Sequence, residues 1–239
     1  MIISEKILKE LRSFGSKTKA TTLRRFFKTG PGEYGEGDEF LGVVVPDIRR
    51  IVKIYWQNIS LTYVEKILHS KFHEERLLAL LILVKKFQSG DALIRKSIYN
   101  LYIKNIKKYI NNWDLVDLTA PHIVGGYLAD KDKEILIKLA NSKNLWERRV
   151  AMLATFFDIY LGDCRWAIKI AKILLKDKHD LIHKAAGWML REVGKRCSKE
   201  TLEEFLRQNV ALMPRTMLRY SIERLPEERR VFWLKYKKK

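Results

Sequence analysis

The chain is poor in cysteine: Cys164 and Cys197 are its two thiols in 239 residues, too few for a disulfide framework. They read as small buried or idle thiols in a reducing cytosol, and no metal site follows from them. Also absent is any apolar run approaching the roughly 20 residues that a membrane helix needs. Met1 to Arg12 interleaves Glu5, Lys6, Lys9 and Glu10 with its apolar residues, so it holds no uninterrupted signal-peptide core. These absences lead us to expect a soluble, cytoplasmic protein. No stretch alternates polar and apolar residues as a half-buried strand would. There is no nucleotide-binding fingerprint and no recognisable Ser-His-Asp arrangement.

Acidic residues are few beside basic ones, 28 against 47, which leaves a formal charge of +19. Charge of that size predicts attraction to polyanions, nucleic acid ahead of an anionic membrane surface. The excess is spread along the chain rather than gathered on one amphipathic segment, so a whole face should be positive. Only Lys235 to Lys239 reads as a tail. With 47% hydrophobic residues the chain is long enough to bury a core, and its length demands no more than one domain, residues 1–239.

What the sequence does contain is helical periodicity almost everywhere, as in Leu77, Leu78, Leu81, Ile82 and Val84 or Ile168, Ile170, Ile173 and Leu174. Pro46, Pro121, Pro214 and Pro226 fall at helix starts or bends, and Ser60, Asp91, Asp163 and Ser198 suit N-caps. Three segments align as an internal repeat: Ser70 to Ala79, Ser142 to Ala151 and Asp177 to Ala186. A fourth copy, Asn112 to Asp117, falls in the first gap, giving a period of about 36, close to that of paired-helix solenoids. The expected fold is all-α, a HEAT-like solenoid with a basic concave face. Arg76, Arg148, Arg149, Lys184 and Arg191 recur on the repeat helices. Each alone could be an ordinary solvated charge, and their recurrence in register favours DNA.

Gly30 to Asp38 breaks the pattern as a turn-rich loop. It lacks the Gly-Lys-Ser/Thr ending of a phosphate loop, and Glu33, Glu36 and Asp38 would repel phosphate, so it reads as a mobile connector. His69 with His73, and His179 with His183, have i,i+4 spacing but no third ligand, which suits surface or capping roles and no metal. The richest constellation is Asn112-Trp113-Asp114-Leu115-Val116-Asp117. Trp113 and Asp117 share a helix face, and an indole beside a carboxylate favours a cationic ligand. Taken singly, such residues are more often a core tryptophan and a solvated or capping acid. Trp188 sits among the small residues Ala185, Ala186 and Gly187, which would let another helix approach. Trp146 reads as a packing wedge.

Trp113-Asp114-x-Val116-Asp117, Trp146-x-x-Arg149 and Lys184-Ala185-x-Gly187-Trp188-x-Leu190-Arg191-Glu192, in this order, resemble the AlkD family of DNA alkylation repair glycosylases. Gly42 to Arg50, with Pro46 and Arg49-Arg50, fits as well, and the resemblance runs from about Thr21 to Arg196. It implies a monomeric, cofactor-free enzyme that grips duplex DNA, nucleoid-associated when bound. It would hydrolyse the N-glycosidic bond of cationic alkylpurines such as 3-methyladenine and 7-methylguanine. The family does so without swallowing the base into a pocket, unlike base-flipping glycosylases. The resemblance makes Asp117 the carboxylate that stabilises an oxocarbenium-like sugar and positions water, with Trp113 and Trp188 flanking that sugar. Arg149 would hold a phosphate or water, and Arg191 another phosphate. Arg148, Lys184 and Phe26 would join the DNA-binding set.

Phe26-Phe27 stand where the family pattern suggests a tyrosine, Val44 is apolar where some members are polar, and the Gly30 to Asp38 loop is longer. These departures bear on opposite-strand contacts and lesion preference. A different reading of the same residues is a noncatalytic HEAT-repeat module that binds nucleic acid or an acidic protein and needs no reactive carboxylate.

Overall fold

The computed structural model describes residues 3–236, so Lys237, Lys238 and Lys239 of the expected basic tail lie outside the described residues. Helices account for the architecture. One parallel bridge, Glu39 to Phe72, stands outside them. Among the described residues no helix is long and apolar enough to cross a membrane. Length alone suggests one folded unit; the packing resolves two, Met1–Ile123 and Val124–Lys239.

The first unit holds α1 (Ile3–Ser13), α2 (Lys17–Phe26), α3 (Val45–Tyr55), α4 (Leu61–Leu68), α5 (His73–Ser89), α6 (Ala92–Tyr109) and α7 (Trp113–Asp117). A π-helical turn, Pro121–Gly125, follows. The second unit holds α8 (Gly126–Leu128), α9 (Glu134–Ala140), α10 (Leu145–Ala154), α11 (Phe156–Tyr160), α12 (Arg165–Ile173), α13 (Asp180–Arg196), α14 (Lys199–Asn209), α15 (Arg215–Ser221) and α16 (Glu227–Lys235). Ser60, Asp91 and Ser198 cap α4, α6 and α14 as their sequence positions suggest. Asp163 acts one residue earlier than a formal cap, its carboxylate accepting the Arg165 N–H at 3.0 Å.

Each unit is organised around one 17-residue helix. In the first, α5 packs against α3, α4, α6 and α7. It is buried nearly all round, from His73 to Leu80 and again at Ile82, Leu83, Val84 and Phe87, the pattern of a central rather than a surface helix. In the second, α13 packs against α10, α11, α12, α14 and α15. The small residues at its centre have a steric reason. A Cβ on Gly187 would lie 2.5 Å from the Tyr220 Cβ and 2.6 Å from the Met217 carbonyl, so only glycine lets α13 and α15 meet at this distance.

The internal repeat turns out to be a helix-start device. Before α5 the Ser70 hydroxyl donates to Glu75 at 2.6 Å and accepts the Phe72 N–H at 3.0 Å, while Arg76 Nη1 returns to the carbonyls of Ser70 and Lys71. Before α10, Ser142 bonds Glu147 and accepts the Asn144 N–H, and Arg148 Nη1 returns to the carbonyls of Ser142 and Lys143. Before α13, Asp177 accepts the His179 N–H, and His183 returns to the Asp177 carbonyl. Two of the recurring cations, Arg76 and Arg148, thus serve the chain's own backbone. The register of these two is set by the orphan backbone groups of the preceding turn. Arg76 is 3% exposed and bonded to Asp38, and Arg148 is bonded to Asp177 at 2.6 Å.

Candidate active site

Helix α7 is five residues long, too short to persist alone. Asn112 caps it, its side-chain oxygen accepting the Trp113 N–H at 2.9 Å, and the Asp114 carboxylate accepts the Leu115 N–H at 2.9 Å. Leu115 and Val116 are fully buried, which anchors the inner face through roughly 1.5–3 kcal/mol of apolar burial each.

The remaining anchorage is a buried polar hub. His73 Nε2 lies 2.8 Å from Asp114 Oδ2 and its Nδ1 lies 3.1 Å from Asp38 Oδ2. Arg76 donates to Asp38 at 2.7 Å, and Asn112 Nδ2 donates to the same carboxylate at 3.1 Å. Burial disfavours the His73 imidazolium, but the charge and hydrogen bond of Asp114, with the bond to Asp38, outweigh it and raise its pKa to about 9. Burial likewise opposes the charge on Asp38, yet the His73 hydrogen bond and the Arg76 guanidinium hold its carboxyl below the usual range. Two carboxylates and two cations therefore form a nearly neutral cluster, the condition under which buried charges are tolerated. Asn112 and Asp114, the residues on either side of Trp113, are both tied to it.

The same hub corrects two expectations. The Gly30 to Asp38 segment is tied rather than mobile: Glu33 and Glu36 accept the N–H groups of Gly30 and Gly32 at 2.8 and 2.9 Å, and Asp38 is buried. Beyond it, Glu74 accepts the N–H groups of Leu41, Gly42 and Val43. His73 is not a surface or capping histidine. His179, by contrast, does cap its helix, accepting the Leu181 N–H.

Trp113 is half-buried and stacks on Phe27, with ring centroids 5.2 Å apart at 18°. Phe27 in turn stacks on Phe40, and both phenyl rings lie within 5 Å of the His73 imidazole, where their faces favour its positive charge. Phe26 meets Trp113 edge-on at 5.8 Å and is 61% exposed, a solvent-facing aromatic beside the tryptophan.

One turn further along α7, Asp117 is half-buried in the wall of a 630 Å³ cavity. Arg49, Val52, Lys53 and Trp56 line it from α3 and its C-cap, at i, i+3, i+4 and i+7; Leu81, Val84, Lys85 and Gln88 line it from α5 with the same spacing. Ser89, at the end of α5, completes the wall beside Asp117 with Leu118 and His122. His122 stands on the π-helical turn, a deformation frequent at functional sites, and desolvation by its surroundings lowers its pKa. Among the described residues lining the cavity, Asp117 is the one carboxylate, set among the cations Arg49, Lys53 and Lys85. Trp113 is not part of this wall. The shared helix face read from sequence is thus divided: the tryptophan joins an aromatic cluster and the acid faces the cavity.

The other expected residues belong to the second unit. Lys184, Trp188 and Arg191 occupy one face of α13 and are all half-buried. Lys184 pairs with Asp180 at 2.7 Å, Trp188 lies 6.1 Å from Phe156, and Arg191 pairs with Glu192 at 3.1 Å and with Glu223. Arg149, expected to hold a phosphate or water, is 4% exposed and donates to the Leu181 carbonyl. Trp146 is buried, as its wedge reading suggests. Trp56, Lys85 and His122 were not singled out from sequence. The available signal was the i, i+3, i+4, i+7 face shared by cations and apolar residues on α3 and α5, which becomes informative only when the two faces are known to oppose.

A family profile described as DNA alkylation repair enzyme matches residues 7–225. Among solved structures, the chain is similar to a predicted DNA alkylation repair enzyme from Enterococcus faecalis. The TM-score is 0.68 at 18% identity over 89% of this chain and 97% of that one, a likeness of fold. No curated protein matches the chain.

Proposed function

The chain belongs to the DNA alkylation repair enzyme family, and from that premise we propose that it is a DNA glycosylase. It releases cationic alkylated purines from duplex DNA without flipping them into a pocket. The observation that carries this reading is Asp117, a carboxylate on a helix fixed by a buried hub and facing a cavity whose other charged walls are cationic.

The chemistry needs little more. A 7-methylguanine or 3-methyladenine base bears positive charge, so when the C1′–N bond breaks its electron pair neutralises the leaving base. The deoxyribose acquires oxocarbenium character. A nearby carboxylate stabilises that developing cation most where water is partly excluded. Water then bonds to C1′ and gives up a proton, with Asp117 placed to orient it and to accept that proton, which leaves an abasic site. Arg49, Lys53 and Lys85 suit the phosphates on either side of the reacting sugar. The second-unit residues Trp188, Lys184 and Arg191 present an aromatic face and two cations along α13, suited to the same substrate.

The test is release of free base from methylated duplex DNA by the purified wild-type protein, with no metal or nucleotide added. Release of 7-methylguanine or 3-methyladenine that Asp117→Asn sharply slows is the expected result. No release by wild type across several alkyl lesions overturns the proposal.

A further inference from the structure

A second basic concavity lies within the second unit, lined by Arg191, Gly194 and Lys195 of α13, Lys199 and Leu202 of α14, and Arg224 beyond α15. Its volume is 160 Å³, the scale of one tetrahedral oxyanion with its hydration and too small for a nucleoside. The floor is apolar, Leu202 being 1% exposed and Leu225 8%. The cations stand at the rim. A Cβ on Gly194 would lie 2.5 Å from Leu202 Cδ2, so glycine is what lets α13 and α14 close beneath them.

Four cations around so small a space repel one another unless an anion is supplied. The protein supplies part of it: Glu192 and Glu223 engage Arg191, Glu192 also engages Arg196, and Glu200 interacts with Lys199 at longer range. Lys195, Lys199 and Arg224 make no ion pair among the described residues. This contrasts with α16, where Arg229 and Arg230 each find a glutamate. Lys199 is also the first residue of α14, whose positive end it shares with Glu200 of the same turn.

We propose that Arg191, Lys195, Lys199 and Arg224 form an oxyanion site that takes one phosphodiester of the DNA backbone, separate from the Asp117 cavity. The inference rests on the glycosylase reading for its ligand. The assignment of three of these four residues comes from the concavity alone. A backbone phosphodiester fits better than a free nucleotide because the site is small and open, offers charge without an aromatic platform, and needs only one PO₂ group.

The experiment measures affinity for unmodified duplex DNA against salt for wild type, Lys199→Gln, Arg224→Gln and the double variant, all exposed substitutions that leave the core intact. Each lost contact should weaken binding uniformly across sequences and flatten the dependence of log K on log[salt] by about one unit. The single-turnover rate of base release at saturating DNA should stay within about twofold of wild type. Glu223→Gln, which frees Arg191, should act in the opposite direction and tighten binding. Wild-type duplex binding with unchanged slopes in all variants overturns this proposal alone, whereas absence of duplex binding by wild type overturns the functional reading as well. A parallel arm uses inorganic phosphate and thermal unfolding. If phosphate stabilises wild type but not the double variant while the DNA slopes stay equal, the ligand is a free phosphate and the backbone assignment fails.

Discussion

His73 and Asp114 meet at 2.8 Å in a site with almost no access to water, and this contact joins the first turn of α5 to the first turn of α7. Through it the central helix of the first unit fixes the helix that carries Asp117. Asp114 is three residues from Asp117, so any loosening of the hub moves the base of the helix whose far end faces the cavity.

The hub makes stability sensitive to alkaline pH. The folded pKa of His73 is raised to about 9 from an ordinary value of 6.5. Its contribution is therefore complete below about 6.5 and declines as pH rises through about 9. Urea unfolding should show the His73 contribution at its highest below about pH 6.5 and a midpoint that falls from there to about pH 9. His73→Phe, which cannot titrate, should remove that alkaline slope while lowering stability at pH 7 by about 3–5 kcal/mol, because Asp38 and Asp114 lose their shared cation.

Asp117→Asn keeps the shape of the cavity wall and removes its negative charge. Base release should fall by about two to three orders of magnitude, with duplex affinity unchanged or slightly tighter because a charge that repels phosphate is gone. Parallel single-turnover and binding measurements separate these effects. An equal loss of affinity would point to a binding role.

Arg148 and Lys85 should respond in opposite ways. Arg148 is committed to Asp177 and to two carbonyls, so Arg148→Ala should cost about 1–3 kcal/mol of stability and leave the salt slope of DNA binding intact. Lys85 is exposed on the cavity wall. Lys85→Gln should leave thermal stability within about 0.5 kcal/mol and flatten the salt slope by about one unit. Chemical unfolding and salt-titrated binding on both variants would distinguish the strut from the ligand contact.

Gly187→Ala adds one methyl group where the neighbours are the Met217 backbone and the root of Tyr220. Neither can rotate aside, so the helices must separate, at a cost of about 1–3 kcal/mol or more. A lowered thermal midpoint is expected, and an unchanged one would mean that α13 and α15 slide freely.

Much of the fold was legible because it is local. Helical periodicity located the main helices, prolines and capping residues marked many of their ends, and the repeat of Ser70, Ser142 and Asp177 was visible as a spacing. Its meaning was not. The arginines at Arg76 and Arg148 look in sequence like a basic ligand face, and the structure uses them to satisfy backbone carbonyls. A sequence shows that a charge recurs, not which side of a helix is enclosed.

The sequence by itself determined an all-helical chain, a large positive charge and the short motif that places an aromatic residue and a carboxylate four positions apart. Those properties follow from composition and from the 3.6-residue period. Only the tertiary structure decided that Trp113 is spent on stacking with Phe27 while Asp117 faces a cationic cavity, and that a distant loop residue, Asp38, and a central-helix residue, His73, hold the helix between them. The reason is physical: α7 is too short to fix itself, so the place of its carboxylate depends on contacts across more than seventy residues of chain, from Asp38 to Asn112, which no local pattern encodes.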